Sequence, residues 1–205
     1  MKLINMDIPG WNTEAFLEDI SSYASAVPEN GCIIELGAFF GRTTYTLGMS
    51  KKPSVKLITI DFWTTVYFDD VVMFHDNFCS PESVASIERY IKDNPRRLEG
   101  EDFFKLWSEF TYDVTNKIGI RSRTDLDNSN FTQADFIFHD ASHSFEDVYS
   151  DLRNWFPKLK DNGIFIIDDY NDNFPGLKSA VDQYVKENNL LTKYVGENLL
   201  IKKHE

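Results

Sequence analysis

Hydrophobic positions along this chain follow two periods in turn. Residues 12–27 place Phe16, Leu17, Ile20 and Tyr23 at helical spacing, with Asn12 or Thr13 able to cap the start and Pro28 and Gly31 to close the end. Short apolar runs of strand length follow at 32–36, 55–60 (ending at Asp61), 117–122, 136–139 and 164–167. Helical patterns separate them at 42–49, 101–115 and 145–156. Strands alternating with helices predict an α/β fold built on a parallel sheet covered on both faces.

The tail breaks this rhythm. Residues 176–189 read as a helix with Leu177, Ala180, Val181, Tyr184 and Val185 on one face. Two strand-like runs, 191–195 and 199–203, flank a turn at 196–198 and predict an antiparallel hairpin at a sheet edge. Residues 62–100 are irregular and aromatic-rich, with a candidate helix at 82–93. That is more chain than an α/β connection needs, as expected of a substrate wall, a lid or a dimer contact.

Length and composition narrow the picture. A chain of 205 residues, 42% hydrophobic, predicts one soluble domain spanning 1–205 with a substantial core. A net charge of −12 argues against nucleic-acid and anionic-membrane partners, which favour basic surfaces. Two cysteines, Cys32 and Cys79, make no disulfide framework. The N-terminus has no apolar leader, and no run approaches the roughly 18 apolar residues of a spanning helix, so the chain reads as cytoplasmic.

The most informative stretch is 32–44. An apolar strand ends in Glu35, Gly37 and Gly41, spaced E-x-G-x-x-x-G, and a helix follows at once. A strand, a tight turn and a helix N-terminus leave backbone N–H groups able to receive a ligand. Where a dinucleotide loop has its first glycine, this chain has the carboxylate of Glu35. It would repel a pyrophosphate and suit a cationic ligand such as the amine and sulfonium of S-adenosylmethionine.

Acidic residues recur at the C-terminal ends of the expected strands: Glu35, Asp61, Asp140 and the pair Asp168–Asp169. That edge is where open parallel sheets bind ligands. Asp61 is placed to accept hydrogen bonds from both hydroxyls of a ribose, and Trp63 can stack on adenine or pack in a core or lid. If strands 136–139 and 164–167 are neighbours, Asp140, Asp168 and Asp169 crowd together, and repulsion eases if a cation lies among them. An all-oxygen set suits Mg²⁺, Mn²⁺ or Ca²⁺. His143 falls in the turn after Asp140, where it can serve as a general base. Ser144 and Asp147 form a capping box for the next helix. His139 is expected to pack on the sheet.

Four segments in order, 35–44, 59–63, 135–147 and 158–170, resemble the class I S-adenosylmethionine-dependent methyltransferases. The nearest branch is the small-molecule O-methyltransferases that include the macrolide sugar methyltransferases and cephalosporin hydroxylase-like proteins. The resemblance implies a Rossmann-like, doubly wound sheet of seven strands in the order 3-2-1-4-5-7-6, the last strand antiparallel. It implies that Glu35, Gly37 and Gly41 shape the methionine pocket and that Asp61 holds the ribose; Ala38, Thr43 and Trp63 are further candidate cofactor contacts. Ser122, Arg123 and Thr124 would form the adenine edge, with Asp140 also touching the cofactor. Asp140, Asp168 and Asp169 would bind Mg²⁺, and His143 with Asp140 would act on an acceptor hydroxyl.

The chain departs from the family pattern in three places. Phe39-Phe40 stands where a third loop glycine is usual, Arg123-Thr124 ends the third strand, and His139 precedes Asp140. The resulting expectation is metal-assisted methyl transfer to a small hydroxylated substrate, sugar-like or natural-product-like, by a possible homodimer. The competing readings are a non-catalytic cofactor-binding or assembly protein of the same fold, and an NAD-dependent oxidoreductase.

Overall fold

Seven strands form one sheet in the order β3-β2-β1-β4-β5-β7-β6. The structure, a computed structural model, describes residues 3–63, 103–203 and positions 85, 87, 89 and 90. In chain order the elements are α1 (Glu14–Ala26), β1 (Cys32–Leu36), α2 (Arg42–Ser50), β2 (Lys56–Asp61), α3 (Phe103–Phe110), β3 (Lys117–Arg121), β4 (Ala134–His139) and α4 (Phe145–Trp155). A single 3₁₀ turn leads into β5 (Leu159–Ile167), followed by α5 (Pro175–Glu187), β6 (Leu191–Val195) and β7 (Asn198–Lys202). Strands β1 to β5 pair in parallel, and β7 runs antiparallel to both β5 and β6. This is the order and polarity expected from the resemblance.

Alternation along the central strands sorts the core into two layers. Ile34, Leu36, Ile58, Ile60 and Ile137 pack with Val148, Leu152 and Trp155 of α4 and with Leu177, Ala180 and Val181 of α5. Ile33, Leu57, Phe136, Phe138 and Ile166 pack with Ile20, Leu47, Leu106 and Trp107 on the other face. Period two along a strand and apolar stripes along the helices account for both layers.

Two boundaries differ most from expectation. β5 begins at Leu159, five residues early, because Leu159 pairs with Ala134 before an irregularity leads to the regular register Phe136↔Ile164. Asn162 adopts φ 61° within that irregularity, which is why pattern alone begins the strand at 164. The third helix is shorter than the 101–115 predicted. Of the irregular 62–100 stretch, Ala85, Ile87, Arg89 and Tyr90 are helical. The wall, lid or dimer role and the two histidines without an assigned role, His75 and His204, lie outside the described residues, as does Cys79.

Candidate active site

Between β1 and β4 the strand order reverses, and the loops at the C-terminal edge there enclose a cleft. Its walls include Trp11, Gly37, Ala38, Phe39, Asp61, Ser122, Arg123 and Asp140. Backbone bonds carry the sheet past its strand ends into this edge: the Gly37 N–H donates to Ile60 O at 2.8 Å and the Asp140 N–H to Leu36 O at 2.8 Å. Gly37 is required here twice over. Its φ is 85°, and a Cβ would lie 1.9 Å from the Asp140 carbonyl oxygen.

Asp61 organises the loop. Its Oδ2 accepts from the Ala38 N–H (2.7 Å) and the Phe39 N–H (3.0 Å), and its Oδ1 from the Trp63 N–H (2.7 Å). Three of the roughly four acceptor directions of a carboxylate are thus taken. These bonds hold Phe39 at φ 50°, where it stacks on Trp11 with centroids 4.2 Å apart. At the rim, Arg123 bonds Asp125 and Asp147.

The carboxylates after β4 and β5 converge. His139 pairs with Ile167, so Asp140 and Asp168 leave adjacent strand ends. Burial lifts the Asp140 carboxyl to about 6; the Asp169 charge adds to this, while His143, His139 and an Asn12 hydrogen bond oppose it. Burial and the charges of Asp140 and Asp169 push Asp168 well above the usual carboxylate range. Asn12 Nδ2 donates to Asp168 Oδ2 at 2.8 Å, and the Asp169 N–H to Asp168 Oδ1 at 3.0 Å. His143 Nε2 lies 3.0 Å from Asp169 Oδ2, its ring stacked on Phe174 at 4.0 Å. Ser144 caps α4 through the Asp147 N–H and donates back to the Asp147 carboxylate.

Three carboxylates are the donor type that an oxygen-seeking divalent cation takes. Their present partners are Asn12, His143 and backbone. Among the described residues no group of three or more acidic, His or Cys side chains is arranged around a common ion position.

A methyltransferase domain family, Methyltransf_24, matches residues 34–170, the span from β1 to the end of the β5 turn. The chain belongs to this methyltransferase family. Among solved structures, the O-methyltransferase NovP is 16% identical with a TM-score of 0.62, covering 93% of this chain and 80% of its own. The calicheamicin methyltransferase CalS11 is 17% identical, TM-score 0.57, covering 91% and 77%. SMU.1697c from Streptococcus mutans, solved in complex with SAH, is 12% identical, TM-score 0.55, covering 94% and 99%. At these identities the likeness is one of fold. No curated protein sequence matches.

Within the family frame, the structure brings Gly37, Ala38, Asp61, Ser122, Arg123, Thr124 and Asp140 to the cleft. It places four other expected residues elsewhere. Glu35 is fully buried, facing α2 rather than a ligand, and its Oε2 accepts from Thr44 Oγ1 (2.6 Å) and Thr59 Oγ1 (2.8 Å). Trp63 packs against Phe104 and Trp107 in the core, and its indole N–H donates to the Phe39 carbonyl, so it buttresses the loop and does not stack on adenine. Thr43 is buried and donates to Asn12 Oδ1. Gly41 caps α2 at φ 96° beneath Trp107. Asp168, Asp169 and His143 join Asp140 in one cluster. His139 packs below, its Nε2 3.0 Å from the buried Asp151 carboxylate.

Sequence reasoning missed Trp11 and Asn12. Asn12 was a candidate helix cap, but Thr13 takes that role, accepting from the Phe16 N–H. A Trp-Asn pair just before a helix gave no periodic signal. Among the described residues no helix is long and apolar enough to cross a membrane.

Proposed function

We propose that this chain transfers a methyl group from S-adenosylmethionine to a hydroxyl of a small hydroxylated molecule, with a divalent metal assisting at Asp140, Asp168 and Asp169. One observation carries the reading: a family methyltransferase cleft bordered by Asp61 and Asp140 has a histidine–carboxylate pair, His143–Asp169, next to it. The fold likeness to NovP, an O-methyltransferase, and to CalS11, a TDP-rhamnose 3'-O-methyltransferase, supports a hydroxyl acceptor.

The cofactor, when bound, supplies a methyl group on a positively charged sulfur, and the metal would lower the pKa of an acceptor hydroxyl. The protein's own part is positioning and proton transfer. Asp61 holds the Gly37–Phe39 loop and borders the nucleoside side of the cleft. With Nε2–H donated to Asp169, the His143 ring keeps its Nδ1 lone pair for a proton, and stacking on Phe174 fixes the ring plane. Orientation of acceptor and donor then supplies much of the rate.

Calorimetric titration of S-adenosylhomocysteine, with and without Mg²⁺, tests this directly. Micromolar binding weakened more than about tenfold (1.4 kcal/mol) by Asp61→Asn is the expected result. A Mg²⁺ heat that disappears in Asp168→Asn supports the metal; a Mg²⁺ signal indifferent to that change removes it. No binding of the cofactor product by the wild-type chain would discard methyl transfer.

A further inference from the structure

Residues 4–12 form an irregular strap ahead of α1, and a side chain at the start of α2 grips it along its length. Arg42 is the first residue of α2, and only 2% of it is exposed. Its Nε donates to Ile8 O at 2.7 Å, its Nη1 to Asn12 O at 3.0 Å and its Nη2 to Met6 O at 3.4 Å. Gly10 lies flat against it: a Cβ there would be 3.1 Å from both Arg42 Cβ and Nε. A guanidinium at a helix N-terminus opposes the helix dipole and gives up hydration on burial. Burial lowers its pKa to about 10. This is a costly place for a cation, so the function of the strap it holds matters.

The strap delivers two side chains to the site. Trp11 stacks on Phe39 and borders the cleft together with Asp61 and Asp140. Asn12 accepts from Thr43 Oγ1, one residue after Arg42, and donates to Asp168. The helix that begins under the cofactor loop thus also fixes the outer wall of the same cleft.

We propose that Arg42 is a positioning residue for the methyl-transfer reaction: its guanidinium clips the strap so that Trp11 closes one wall of the cofactor cleft and Asn12 meets Asp168. The inference rests on the cofactor reading above. It assigns Trp11 a direct contact with the bound cofactor and Arg42 an action through Trp11 and Asn12. Lysine cannot replace arginine here, because one ammonium lacks the planar fork that reaches three carbonyls at once.

The test is a double-mutant cycle on S-adenosylhomocysteine affinity, using Arg42→Lys, Trp11→Ala and the pair. Each single change should raise Kd about tenfold, and the pair should raise it little further, because both remove the same wall. Unchanged affinity in Arg42→Lys, or effects that multiply in the pair, would overturn the proposal while wild-type binding still upholds the cofactor reading. Wild-type protein that binds no S-adenosylhomocysteine overturns both. Should Arg42→Lys fail to fold, hydrogen exchange on the wild-type protein decides. Ligand must slow exchange of the strap amides at 8 and 10–12, and exchange indifferent to ligand refutes the clip.

Discussion

Glu35 stands at the strand end that its sequence position predicts, with its carboxylate turned into the core and not into the cleft. A carboxylate at the end of β1 next to a glycine turn looks like a ligand for a cationic cofactor. Strand alternation decides otherwise, because Glu35 shares the face of Ile33, which packs toward α2. There burial raises its pKa to about 8 against the two threonine hydrogen bonds, with Asp140 and Asp61 adding to the rise, and Oε1 has no hydrogen-bond partner. A folded-state pKa above the unfolded value means that folding binds a proton. The contribution of Glu35 to stability is therefore full below about pH 4.5 and declines as pH rises toward 8. Glu35→Gln mimics the neutral acid at every pH. Urea unfolding should show the two proteins equally stable near pH 4.5 and the variant more stable by a few kcal/mol at pH 9. Parallel pH profiles would show that Glu35 is ionised in the fold.

At the scale of elements, the turn from β4 into α4 concentrates the candidate catalytic groups. Ser144 starts the helix by a capping box with Asp147, so the preceding residues 140–143 are held over the sheet edge, and His143 meets Asp169 from the neighbouring strand end. This turn was legible because each part has a local signature: an apolar run, an acid, then a cap followed three residues later by a carboxylate. Trp63 had no such signature. It follows β2 by two residues, where a wall and a core position look alike, and only the packing of α3 decides between them. Trp11 and Asn12 were illegible for a similar reason, since their partners Phe39, Thr43 and Asp168 are distant in sequence. The role assigned to the turn predicts a clean separation. His143→Gln should lower methyl transfer to an accepted hydroxyl substrate by about 10²–10⁴-fold, as removal of a general base does. Its affinity for S-adenosylhomocysteine should be unchanged, because the side chain is not among those that line the cleft. Full activity in the variant would remove His143 from the chemistry.

For the whole molecule, the sheet order was readable from the alternation of strands and helices and from the resemblance, while the candidate cofactor site depends on loops tied together across that sheet. Asp61 from β2 holds the loop after β1, Gly37 packs on the Asp140 carbonyl after β4, and Asn12 reaches Asp168 after β5. A ligand gripped by several of these loops binds only the folded state, so its binding energy adds to global stability. At a concentration of about 100 times Kd, S-adenosylhomocysteine should contribute about 2.7 kcal/mol. For a domain of this size that corresponds to a rise in Tm of about 5–10 °C by differential scanning calorimetry. Asp61→Asn, assayed at the same ligand concentration, should lose about half of this rise, because a roughly tenfold weaker Kd leaves about 1.4 kcal/mol of linkage. A wild-type Tm that stays put at that ligand concentration would mean that the molecule does not bind the folded chain in preference to the unfolded one, and the cross-sheet cleft would not be its site.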